Sequence, residues 1–120
     1  MILAIGVMGA LGACARYYIS HYYGTKNTKD FPRATFLVNM LGALVLGCLF
    51  SLYERTMLAQ WIWLLLGVGF LGAFTTFSTF SYEWVMYMRE KQYIKALSYV
   101  IASVTVGLAA AYIGYWLCNW

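Results

Sequence analysis

The chain has 120 residues, 63% of them hydrophobic and only 10% charged, against a usual charged share of about 25%. Eight Lys/Arg and four Asp/Glu side chains cannot cover the water-facing surface of a domain this small. The composition therefore excludes an ordinary soluble fold and points to a bilayer, and a net charge of +4 with no run of five like charges leaves no footprint for a nucleic acid.

A membrane helix takes about 20 mainly apolar residues. The first such stretch is 2–22. It has no basic leading segment and more apolar spans follow, so it reads as a membrane helix and not a signal peptide. It closes on Tyr17, Tyr18, Tyr22 and Tyr23, side chains suited to the headgroup boundary. His21 stands among them as a surface residue; with no second His and no CxxC it marks no metal site. The segment 24–33 (GTKNTKDFPR) carries the only proline and is a loop.

The second span is 34–53, followed by a turn at Glu54 and Arg55. The third apolar region, 61–88, is longer than one straight crossing needs. Its middle reads GVGFLGAFTTFSTFS, in which Gly67, Gly69 and Gly72 precede a Thr/Ser/Phe run. Such residues make poor helix, so the sequence predicts a break near 72–76, at mid-membrane. The fourth span is 94–117, bracketed by Tyr93, Trp116 and Trp120. The reading is all-α, a single transmembrane domain over 1–120 with four crossings. Cys14, Cys48 and Cys118 lie far apart in apolar stretches and read as small buried hydrophobes.

Four crossings place both termini on one side. Lys26, Lys29, Arg33, Arg89, Lys91 and Lys95 then share the opposite side, and only Arg55 lies with the termini. The positive-inside rule makes the first and third loops cytoplasmic. Three polar residues are expensive at depth: Arg16, Asn39 and Glu83. Each is six residues from its helix end on the basic-loop side, or about 9 Å below that boundary. Their shared level predicts a water-filled vestibule. Arg16 and Glu83 could instead snorkel; Asn39 is too short to do so.

The densest polar run, Thr75 to Ser81, falls at the centre of the third span. A break there frees peptide groups, and the carbonyls of Gly72 and Ala73 suit a small cation. Phe77 and Phe80, at i and i+3, share a helix face. Phenyl edges are electropositive and can rest against a dehydrated anion when hydroxyls or amides also donate. Without further evidence, packing is the ordinary reading of two membrane phenylalanines. Tyr99 and Ser103, four apart, put hydroxyls on one face of the last helix.

The segments GALGACARYY (9–18), FPRATFLVNMLG (31–42) and GFLGAFTTFSTFSYE (69–83) resemble the CrcB/Fluc fluoride channels, and the likeness covers nearly the whole chain. The resemblance implies passive, selective fluoride export across the inner cell membrane, protecting the cell from fluoride. It implies an antiparallel homodimer with two pores, each lined by both subunits. It implies that Asn39 donates to fluoride, that Phe77 and Phe80 are the pore rings, and that Ser78 and Thr79 assist. Gly72 and Ala73 fall where carbonyls from both subunits hold a structural sodium ion. Arg16, Thr35 and Glu83 match vestibule positions, and Tyr99 and Ser103 match a polar track, which Gly107 interrupts one turn on. The six-to-one charge bias departs from a chain that inserts both ways, and would fit one member of a heterodimer with a paralogue.

The rival is a proton-coupled small multidrug exporter, also a four-helix dimer. That chemistry needs a membrane-embedded carboxylate, typically on the first helix, where this chain has Arg16 and no acid. No nucleophile–base pair or metal cluster points to an enzyme.

Overall fold

The computed structural model describes residues 1–24 and 31–119. Lys26 and Lys29 of the first loop, and Trp120, lie outside the described residues. Among those described, the secondary structure is helical throughout, with four helical stretches long and apolar enough to cross a membrane. α1 is Ile2–Tyr23 and α2 is Arg33–Glu54. The third stretch has two parts. Its first part, α3, runs over 60–74 and opens with Gln60–Ile62. It continues as a π-helix over Trp63–Leu71 and ends as a short α-turn, Gly72–Phe74. α4 is Ser78–Arg89 and α5 is Tyr93–Leu117. The bundle measures 48 × 30 × 20 Å.

The break between α3 and α4 falls at 75–77, slightly later than the glycine pattern indicates. Thr75 is extended, at φ −77° and ψ 158°. The glycines lie earlier, Gly67 and Gly69 within the π-helical stretch, where a methyl at Gly69 would press on the Ile5 carbonyl oxygen of α1 at 3.0 Å.

α2 and α5 make the most intimate contact. A methyl group at Gly47 would run into the Ala111 carbonyl oxygen, and one at Gly114 into the Leu44 carbonyl oxygen. Backbones this close gain dispersion contacts that lipid cannot replace. The approach also overturns one reading of the sequence. Cys48 and Cys118 are joined in a disulfide, with Cα atoms 5.2 Å apart, and Cys14 alone is a free thiol. The two are 70 residues apart in the chain, so only the glycine-to-glycine packing brings them within bonding reach. Two more links close the same end. Arg55 Nη1 donates to the Cys118 carbonyl at 3.0 Å, and the Tyr115 hydroxyl donates to Glu54 Oε2 at 2.6 Å.

α1 lies against α3. A methyl at Gly12 would strike the Phe70 carbonyl oxygen, so this pair too packs backbone to backbone. α2 and α4 end alike. Thr56 (φ 57°) and Lys91 (φ 59°) take the left-handed conformation, and the N–H groups of Met57 and Gln92 return to the carbonyls of Leu52 and Tyr87. These bonds satisfy carbonyls that the helix ends would otherwise orphan.

Interior positions are few. Val38, Leu71 and Phe74 form one buried cluster, and Tyr87, Ala96 and Tyr99 another. Large apolar side chains face outward along every span: Ile2, Leu3, Phe50, Val85, Ile94 and Leu108 are all exposed. In water such surface would aggregate; in lipid it needs no cover.

Candidate ion site

The 75–77 break is held by side chains that do the work of missing helical bonds. In an unbroken helix the Thr76 N–H would donate to the Gly72 carbonyl, and the Thr76 carbonyl would accept from the Phe80 N–H. Here the Thr76 N–H donates to Asn39 Oδ1 at 2.8 Å, and Asn39 Nδ2 donates to the Thr76 carbonyl at 3.1 Å. Thr75 Oγ1 donates back to the Leu71 carbonyl at 3.0 Å, closing α3. Thr76 Oγ1 accepts from the Thr79 N–H at 3.1 Å, which caps the first turn of α4, and lies 3.4 Å from Ser78 Oγ. Thr76 therefore joins both half-helices to α2.

A cavity of about 460 Å³ opens beside the break. Asn39, Gly42, Gly72, Thr75, Thr76, Phe77, Phe80 and Ser103 line it, with Met40, Ala43, Leu46, Gly67, Leu71 and Val104 completing the wall. Phe77 precedes α4 and is 79% exposed, so the ring projects from the bundle with little of its own chain around it. Its centroid is 6.2 Å from that of Phe80, with planes tilted by 31°. Phe80 in turn packs on Tyr99, centroids 4.8 Å apart.

The sequence-predicted residues divide into two groups. The cavity gathers Asn39, Gly72, Phe77, Phe80 and Ser103. Ser78 and Thr79 are not in its lining: the Ser78 hydroxyl lies 3.4 Å from the Thr76 hydroxyl, and the Thr79 backbone N–H donates to that same oxygen. Ala73 faces α1, near Gly9. Tyr99 is almost wholly buried, and its hydroxyl donates to Glu83 Oε1 at 3.0 Å. The buried Thr35 hydroxyl approaches the same carboxylate and the same phenol. Glu83 thus meets α2 one turn before Asn39 rather than beside it. Arg16 is partly buried, with its Nε shielded and unpaired.

Arg16, Thr35 and Glu83 do not line the 460 Å³ cavity. A second cavity of about 380 Å³, walled by Tyr22, Tyr23, Phe31, Arg33, Phe36, Leu37 and Met40, opens toward the start of α2. Met40 borders both cavities.

Sequence reasoning missed Gly42 and the part played by Thr76. A methyl at Gly42 would collide with Thr75 Cγ2, so the glycine lets the break lie close against α2. The pairing of Asn39 with Thr76 spans 37 residues, which no local pattern reveals. Gly42, one turn after Asn39, was the available clue.

A helical bundle of four apolar spans, with a broken third span and a mostly apolar cavity at the break into which a few polar groups converge, is a membrane protein of the ion-channel kind. A family model described as CrcB-like protein, Camphor Resistance (CrcB), matches residues 3–115. The chain belongs to the CrcB family. It is 42% identical over 118 residues to "Fluoride-specific ion channel FluC 1" of Carboxydothermus hydrogenoformans, covering 98% of this chain and 93% of that one. It is 43% identical over 120 residues to "Fluoride-specific ion channel FluC 2" of Rhodococcus jostii, covering 98% of each. It is 39% identical over 114 residues to "Fluoride-specific ion channel FluC" of Vibrio vulnificus, covering 94% of this chain and 90% of that one.

Proposed function

We propose that this chain forms a passive, selective fluoride channel that lets fluoride leave the cell down its gradient. The observation that carries the reading is the convergence of Asn39, Phe77, Phe80 and Ser103 on one cavity at a helix break, in a chain whose relatives are named fluoride channels. Fluoride is small and strongly hydrated, so a pore must replace its water. Asn39 uses one Nδ2 hydrogen on Thr76 and keeps a second to give. Ser103 adds a hydroxyl, and the edges of Phe77 and Phe80 add weaker positive charge. Selectivity over larger halides would come from donor number and geometry once a second subunit narrows the path. No catalytic step is involved.

The break lies at the bilayer midplane in this reading, where irregular backbone is tolerated only against protein or a cavity. The cavity beside Tyr22 and Arg33 is the vestibule on the basic-loop side, and Met40 separates it from the pore. Arg16, Thr35 and Glu83 are absent from the lining of both cavities. The exposed Phe77 ring favours a second subunit laid across it. That subunit is antiparallel, which gives two pores, each lined by both chains. A second copy of this chain inserted in reverse is the simplest partner. The six-to-one loop charge bias supports a paralogue of opposite orientation in that role. The membrane is the inner cell membrane.

A structural sodium ion at the dimer interface fits the donors present. The Thr76 N–H has gone to Asn39, which releases the Gly72 carbonyl, and Ala73 offers the next carbonyl at the same helix end. Hard carbonyl oxygens suit such a cation. Bound there, sodium supplies positive charge beside the anion path and a tie between subunits.

Liposomes carrying the purified protein, loaded with fluoride or chloride, test the reading with an ion-selective electrode. Fluoride leaves rapidly and chloride is retained. Drug-dependent proton flux without a fluoride leak would replace this function with that of an exporter.

A further inference from the structure

We propose that Asn39 is a positioning residue, which sets the break itself before any ion arrives. The proposal rests on the channel reading only for its consequence in flux. A primary amide presents one acceptor and one donor side by side, as a peptide group does. Asn39 uses that pair on the two backbone groups of a single residue, Thr76. It thus replaces both helical partners that Thr76 would otherwise have, the Gly72 carbonyl and the Phe80 N–H. An Asp in its place keeps the acceptor and loses the donor. A Ser cannot span both groups, and a Gln is one methylene too long for the same register.

Two further features make the pairing specific. The neighbouring Val38 is fully buried, which fixes the backbone from which Asn39 reaches. Gly42, on the same side of α2, leaves room for Thr75, whose methyl occupies the place a side chain would take. Thr75 cannot turn away freely, because its hydroxyl is bonded to the Leu71 carbonyl. Asn39 and Gly42 thus seat residues 75–76 against α2, and this seating sets where Phe77 stands relative to Phe80. The rings are held by backbone registration, since Phe77 has little packing of its own.

Amide hydrogen exchange in fluoride-free buffer tests this on Asn39→Ala, Asn39→Asp and Gly42→Ala. Exchange over residues 75–80 rises about ten-fold in Asn39→Ala and by less in Asn39→Asp, the scale of losing two bonds or one. Gly42→Ala raises it in the same segment. The amides of the α2–α5 contact remain the best protected, and the global unfolding midpoint falls by no more than the lost bonds account for. In liposomes the same variants lose fluoride over chloride selectivity in the same order. Unchanged exchange in both Asn39 variants, with fluoride flux abolished, would show that the amide serves the ion alone. Wild-type protein that carries no fluoride would sink the channel reading and leave the exchange result to decide this one.

Discussion

The α2–α5 seam and the 75–77 break are two ways of joining polypeptide inside the same small bundle. The seam is over-determined. Gly47 and Gly114 admit the opposite backbone, a disulfide joins Cys48 to Cys118, and Arg55 and Tyr115 fasten the end. The break is held by a few hydrogen bonds centred on Thr76, and it leaves Phe77 exposed. Lipid offers no hydrophobic pull between helices, so close packing must hold the frame. The proposed conducting site needs the reverse: unspent donors and room. In that reading the two demands fall on different helix pairs, so the break can be irregular without loosening the bundle.

If the seam is the frame, filling it should have the largest effect. Gly114→Leu drives a side chain into the Leu44 carbonyl and should cost more than ~3 kcal/mol. Size-exclusion chromatography should show aggregated or absent protein. A monodisperse, conducting Gly114→Leu protein would mean that the seam is not what holds the fold.

Cutting the disulfide comes next. Cys48→Ser with Cys118→Ser should lower stability by about 2–4 kcal/mol, the scale for a long closed loop, read as a lower thermal midpoint in detergent. Fluoride flux at low temperature should be unchanged, because neither cysteine lines the cavity. A large flux defect in a stable variant would join the two regions that the comparison separates.

Phe80→Ile should act in the opposite sense. It keeps most of the bulk and removes the electropositive ring edge, so fluoride efflux should fall clearly below wild type. Assembly should be intact by cross-linking. Loss of the oligomer instead would make Phe80 a packing residue.

The smallest effect belongs to Thr105→Val. The Thr105 hydroxyl bonds back to the Ile101 carbonyl at 2.7 Å and faces outward. Stability and flux should both stay within about 0.5 kcal/mol of wild type. A marked loss of flux would extend the polar track beyond Ser103.

Legibility followed the range of the interaction. The four apolar spans and the weakness of the third were readable because they depend on composition over 20-residue windows. The exact place of the break was not, since the helix runs through Gly67, Gly69 and Gly72 and stops only where Thr75 turns extended. Glu83 looked level with Asn39 when counted from helix ends. In the bundle Glu83 is paired with Tyr99 and Thr35, because α4 starts anew after the break and its register is set by α2 and α5.

By itself the sequence settled that this protein is helical, lives in lipid and carries its polar chemistry on the third span, because hydropathy and Gly/Thr content act locally. Tertiary structure alone decided that Asn39 grips Thr76, that Cys48 meets Cys118, and that Phe77 and Phe80 share a cavity with Ser103. These pairings join residues far apart in the chain. Which of them meet depends on how closely two backbones approach, and glycines on opposing helices set that distance jointly.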